Sequence, residues 1–165
     1  MNQELANSIF IYRNGILYWN VHIKSKPQIY GCVAGTKHKN GYIYVCIKRK
    51  LYRAHQLVFL MFYGYIPTVI DHINGIKDDN RIENLRSATV QQNQYNSKLR
   101  KNNTSKIKGV CWEKSTQKWV AKIRVEGKNK TLGRFFDIKL AEDCCRQARE
   151  KYHGNFANHG GQHEN

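Results

Sequence analysis

The sequence predicts an α+β chain: a β-rich N-terminal part, a strand–loop–strand–helix motif in the middle, then a small three-stranded antiparallel sheet covered by one helix. Three observations predict it. Residues 9–50 are aromatic and β-branched runs separated by Asn-Gly pairs. A β-branched run ending in Asp71-His72 is followed by turn formers, a short return run and a helix-capping pattern. Residues 118–125 alternate with period two, and a helical apolar stripe follows over 139–152.

Phe10-Ile11-Tyr12, Ile16-Leu17-Tyr18-Trp19 and residues 42–47 read as strands, because β-branched and aromatic side chains suit a pleated, half-buried surface. Asn14-Gly15 is a hairpin turn, since a two-residue turn needs residues that tolerate positive φ. Asn40-Gly41 is a second turn, and Lys48-Arg49-Lys50 closes the third strand with a basic cluster. Residues 54–63 form an apolar helix that Pro67 stops, leading into a strand at Val69-Ile70. Residues 74–80 are turn formers, and Asn84-Leu85-Arg86-Ser87 makes a short return strand. Thr89 with Gln92 three residues on is a capping box, so a helix starts at about Val90. Residues 95–105 are polar and basic and hold the helix end and a linker.

The last third has its own pattern. Strands over 108–113, 118–125 and 130–136 are joined by turns at Ser115-Thr116-Gln117 and Glu126-Gly127-Lys128. Trp119, Ala121, Ile123 and Val125 share one face of the second strand; Lys118, Val120, Lys122 and Arg124 share the other. A helix over 139–152 carries Leu140, Cys144 and Ala148 on one stripe, which can cover the apolar face and leave the other free and basic. The expected organisation is a first domain over 1–97, with a β-rich leader at 1–50 and the central motif at about 68–97. A linker at 98–105, a second domain at 106–158 and a tail at 159–165 follow.

The chain has 165 residues and a formal charge of +16. Nucleic acid is the first partner to test for such a chain. The charge is uneven: residues 71–100 are close to neutral, at +1, between flanks of +8 and +7. A weakly charged centre between basic arms suits a cation site on a nucleic-acid-binding protein. The five cysteines are odd in number and form no Cys-x-x-Cys pair, so neither a disulfide framework nor a paired-knuckle zinc site is expected. The first residues lack a basic stretch followed by an apolar run, and no apolar stretch approaches the ~20 residues that span a bilayer, so no signal peptide and no membrane partner are expected.

At the end of the Thr68-Val69-Ile70 strand, Asp71 and His72 stand where a helical Asn93 can join them. A carboxylate and an amide oxygen around a hard cation, with an imidazole beside them, can cleave a phosphodiester. Asp71-His72, the Asn74-Gly75 turn, Asp79-Asn80, Glu83-Asn84-Leu85 and Asn93 closely resemble the HNH nucleases, the ββα-metal group, and especially the phage intron homing endonucleases. Tyr52-Arg53-Ala54-His55-Gln56-Leu57-Val58 resembles that family's His-Arg-Leu-Val segment, with Gln56 in place of Arg. The resemblance implies a site-selective DNA endonuclease of homing type, giving 5′-phosphate and 3′-hydroxyl ends. It implies that Asp71 and Asn93 hold one divalent cation, Mg²⁺ or Mn²⁺, and that His72 is the general base. Asn84 then ties the loop to the second strand, a task Asn80 can share. His55 either contacts DNA, backs the site, or is simply a buried hydrogen-bonded histidine.

Gly109-Val110, Trp119, Ala121, Ile123-Arg124, Leu132-Gly133, Phe135, Ala141-Glu142 and Asn155-Phe156-Ala157-Asn158 resemble the plant ethylene-response-factor type of DNA-binding domain, the APETALA-two fold. That resemblance implies a sheet laid in the major groove, with Lys122 and Arg124 facing bases or phosphates. The family's first-strand arginines fall where this chain has Cys111 and Glu113. Double-stranded DNA is thus the expected partner, through Lys48, Arg49, Lys50, Lys98, Arg100, Lys118, Lys122, Arg124 and Arg134. The chain is expected in a bacterial cytoplasm, as a monomer or a homodimer. Two readings stay open: the endonuclease, and a non-catalytic DNA-binding regulator on a nuclease scaffold.

Overall fold

The computed structural model describes residues 1–21 and 27–160, so most of the expected tail at 159–165 lies outside the described residues. The chain is α+β and divides into two compact units, Met1–Ala88 and Thr89–Asn165.

The first unit opens with α1 (Gln3–Ile9), capped by the Asn2 side chain, which accepts from Leu5 N. β1 (Phe10–Arg13) and β2 (Ile16–Trp19) form an antiparallel hairpin. Asn14 and Gly15 turn it with φ of 45° and 86°, the positive values that a two-residue turn requires. Gly15 is also needed for space: a Cβ there would stand 2.8 Å from Arg81 N, so this turn presses on the loop after Asp71-His72.

β3 (Thr36–Lys37), β4 (Ile43–Ile47) and β5 (Lys50–Arg53) form a three-stranded antiparallel sheet. The basic cluster differs from expectation. Lys48 and Arg49, at φ 47° and 66°, are the turn itself, and Lys50 begins β5 opposite Ile47. β5 leads straight into α2 (Ala54–Tyr63), which buries Ala54, His55, Leu57, Val58, Phe59 and Leu60 and ends at Gly64, with φ 79°. Around α2 the core gathers Phe10, Leu17, Ala34, Val45 and Leu85. β6 (Val69–His72) and β7 (Leu85–Ala88) pair antiparallel, with Asp71 opposite Arg86 and His72 opposite Leu85.

The second unit begins with α3 (Val90–Tyr95). Its capping box is complete: Gln92 N donates to Thr89 Oγ1 at 3.1 Å and Thr89 N to Gln92 Oε1 at 2.8 Å. β8 (Val110–Glu113), β9 (Lys118–Val125) and β10 (Lys128–Phe135) form a sheet in the order β10-β9-β8, all antiparallel, with α4 (Ile138–His153) against it. The division between units falls before α3, and the 98–105 stretch groups with the second unit. Within that stretch Ser105 is buried and its Oγ donates to Val110 O at 2.6 Å. That bond anchors Ser105, the last residue of the expected linker, to β8.

Two details of packing correct the sequence reading. The buried stripe of α4 is Ala141, Cys145 and Ala148, whereas Leu140 is 57% exposed. Small side chains win these positions because helix and sheet approach closely: a Cβ on Gly109 would meet Cys145 Sγ at 3.2 Å and Lys122 O at 2.6 Å. Val120, on the face expected to be free and basic, is fully buried. Its register neighbours are Cys111 on β8 and Arg134 on β10. Arg134 Nε donates to Glu113 Oε2 at 2.6 Å, so an ion pair between the two outer strands crosses β9 and shelters Val120. No helix among the described residues is long and apolar enough to cross a membrane.

Candidate active site

Asp71 and His72 end β6, and both are buried, at 4% and 5% exposure. Backbone bonds fix the chain as it leaves the strand: Ile73 N donates to Asn84 O at 2.9 Å and Gly75 N to His72 O at 2.8 Å. Asn84 holds the loop through both ends of its amide. Its Oδ1 accepts from Asn74 N at 3.0 Å, and its Nδ2 donates to Asp79 O at 2.8 Å. Asn74 Nδ2 in turn donates to Asp79 Oδ2 at 2.6 Å, and Arg81 grips the same carboxylate at 2.9 and 2.7 Å. The Arg81 guanidinium is the first cause that holds the Asp79 carboxyl down at about 2. The N-terminal sheet braces this loop from outside, since Lys37 pairs with Asp78 at 2.6 Å and Lys77 Nζ donates to Asn40 O at 3.0 Å.

His72 Nε2 lies 3.3 Å from Asn80 Oδ1. An oxygen there calls for the proton on Nε2, which makes Nδ1 the acceptor nitrogen of the ring. Asn80 is 1% exposed, and its Nδ2 is a buried donor with no hydrogen-bond partner among the described residues. His55 sits edge to face with His72, the ring centroids 5.0 Å apart at 84°. Tyr42 completes the cluster at 5.2 Å from His55 and 6.0 Å from His72, with Arg53 and Lys77 over its own ring. Burial lowers the pKa of His72, opposed by the Asn80 bond and by Asp71, Asp79 and Asp78. Burial also pushes His55 down to about 3, with the His72 and Arg53 charges adding to the effect. Both rings are therefore neutral near pH 7, and a neutral imidazole can accept a proton.

The first unit thus gathers Asp71, His72, Asn80, Asn84 and His55. Asn93 stands exposed in α3 of the second unit, separated from β7 only by the capping Thr89. Among the described residues no group of three or more His, Cys, Asp or Glu could hold a metal ion. Within the first unit the carboxylate of Asp71 is an oxygen donor of the kind hard divalent cations take.

The residue that sequence reading missed is Arg86, whose Nε and Nη2 reach Asp71 Oδ2 at 2.8 and 2.7 Å. Only strand register places it there, and register is not written in a four-residue return strand. Tyr42, expected to open a strand, lies just before β4, and only the fold brings it beside His55.

Of the basic residues expected to meet DNA, Lys48 and Arg49 form an exposed hairpin tip, and Lys50 lies over the Tyr52 ring at 5.4 Å. Lys122 is exposed; Arg124 is exposed with Nε donating to Gly127 O at 3.2 Å. Lys118 lies over the Phe136 ring at 4.4 Å, and Arg134 is engaged by Glu113. Lys98 and Arg100 are exposed beyond α3.

A buried Asp-His pair on a strand end, an amide-braced loop, a return strand and a helix define a class. The model of the HNH endonuclease family matches residues 52–95, from β5 to the end of α3. Over 107 residues the chain is 35% identical to Protein 3.8 of Escherichia phage T7, a match that covers 64% of this chain and 88% of that one. The chain belongs to the family of that phage protein and carries an HNH endonuclease domain. No solved structure matches it.

Proposed function

We propose that this protein is a metal-dependent DNA endonuclease, site-selective and of homing type, which hydrolyses a phosphodiester to leave 5′-phosphate and 3′-hydroxyl ends. The observation that carries the reading is the buried Asp71-His72 pair at the end of β6, within a segment that matches the HNH endonuclease model. His72 is the general base: neutral, oriented through Nε2 by Asn80, it takes the proton of the attacking water. Asn84 keeps the loop in register with β7, and His55 backs the His72 ring. Asp71 and Asn93 would hold the cation, which when bound offsets negative charge on the scissile phosphate and leaving oxygen. Lys118, Lys122, Arg124 and Arg134 lie on one face of the second unit's sheet, and we assign that face, in the manner of an APETALA-two domain, to duplex DNA.

One observation favours a second reading. Asp71 already carries an ion pair with Arg86, as a non-catalytic DNA-binding scaffold would show. Incubation of supercoiled plasmid with the protein, in Mg²⁺ or Mn²⁺ and in EDTA, separates the two. Nicked or linear product that forms only with the divalent ion supports the endonuclease. Binding without cleavage in every metal would establish the scaffold.

A further inference from the structure

A cleft of about 470 Å³ lies wholly within the second unit. Lys98, Arg100, Lys108, Lys122, Arg124 and Arg149 line it, and none of its lining residues is Asp or Glu. Two of the cations are drawn inside. Arg149 is 4% exposed; its Nη1 donates to Lys108 O at 2.7 Å and its Nε to His159 Nδ1 at 3.3 Å. Lys108 Nζ donates to Tyr95 O at 2.9 Å and Ser97 O at 2.6 Å. These partners are carbonyls and an imidazole whose pKa is lowered, chiefly by burial. Neither cation joins an ion pair among the described residues. Burial, with the Arg149 charge added, brings the Lys108 ammonium down to about 8.

A buried charge is costly unless something of opposite sign meets it. Lys108 has a structural duty, since its ammonium caps the carbonyls at the end of α3. That duty accounts for neither the adjacent Arg149 nor the four exposed cations around them. We propose that this cleft binds a phosphate of a polynucleotide backbone, with Lys108 and Arg149 as its floor and Lys98, Arg100, Lys122 and Arg124 as its rim. The polynucleotide identity rests on the nuclease reading; the anion site rests on the cleft. Several donors converging on one opening suit a phosphate, and a basic rim suits a chain that carries further phosphates beyond it.

The test uses the full-length protein in EDTA, where nothing is cleaved, with a fluorescent DNA duplex titrated across salt concentrations. Lys108→Gln keeps one hydrogen-bond donor and removes the charge; Lys98→Ala/Arg100→Ala strips the rim without touching the floor. Both are expected to weaken binding several-fold and to flatten the slope of log affinity against log salt by about 0.9 for each phosphate the variant no longer neutralises. Inorganic phosphate is expected to move the side-chain NMR signals of Lys108 in the wild type and to leave the exposed Lys48 unmoved. If Lys108→Gln melts early, the rim variant carries the test alone. Unchanged affinity and slope in folded variants, with a wild type that binds and cuts DNA, would overturn the cleft and leave the nuclease reading standing. A wild type that binds no duplex overturns both.

Discussion

At Asp71 two demands meet. A carboxylate at 4% exposure needs a positive partner, and Arg86 supplies one at 2.7 Å from the facing strand. The proposed cation would bring positive charge to the same side chain. Arg86→Ala should therefore destabilise the protein by up to about 3 kcal/mol, the low end for a broken buried ion pair because Arg86 stays partly exposed. Mn²⁺ should restore more of the melting temperature in that variant than it adds to the wild type. Equal metal-induced shifts in the two proteins would remove Asp71 from the cation site. Asp71→Asn keeps an oxygen for Arg86 without the charge, and should fold while losing metal-dependent nicking. Much of this residue-scale picture is legible in the sequence. Asp71, His72 and Asn84 stand out through the resemblance of their segment to the HNH nucleases, whereas Arg86 does not, because a cross-strand neighbour is fixed by register and not by local pattern.

Between residues and molecule, the loop from Asn74 to Asn84 is the element that sets Asn80 against His72. Its staple is Asp79, held by Asn74 and Arg81, with a carboxyl at about 2 instead of the usual 3.8. A depressed carboxyl pKa stabilises the fold above the unfolded value, and that contribution is lost as pH falls through the folded one. Asp79→Asn should thus melt below the wild type at pH 7, and the gap should close as pH falls from 3.8 toward 2. A gap independent of pH would mean that the charge on Asp79 contributes nothing. In α3, Thr89→Ala removes the capping box and should cost about 1 kcal/mol, read as a lower melting temperature. Elements with strong local signals were legible. α2 matches its apolar run, stopped before Pro67, and α3 matches its capping box. Elements held by tertiary packing were not. α1 buries only Ala6, β3 is two residues long, and β5 alternates too briefly to be seen. The expected stripe on α4 differs at two of its three positions: i, i+4 spacing fits Leu140 and Cys144 equally well, while the close approach to the sheet selects Ala141 and Cys145, and Ala148 is common to both.

For the whole molecule, the charge of +16 and the two compact units are the basis of a proposed division of labour. The first unit holds His72, the proposed base. The second carries Asn93 on α3 and presents Lys122 and Arg124, both exposed, on β9. Lys122→Ala/Arg124→Ala should raise the dissociation constant for duplex DNA and lower the salt slope by about 0.9 for each phosphate left without its cation. If Arg124 reads a base edge, preference at that position should relax by ~1–3 kcal/mol. Unchanged affinity, slope and preference would point the sheet toward a protein partner instead. Burial, neutrality and the Asn80 contact are the features on which the proposed role of His72 as general base rests. The most direct test compares wild type and His72→Ala on supercoiled plasmid with Mg²⁺, alongside duplex affinity measured in EDTA. With His72 as the base, affinity should match and the variant's nicking rate should fall by roughly 10²–10⁴-fold, the usual contribution of a general base. Equal nicking rates at equal affinity would contradict that role.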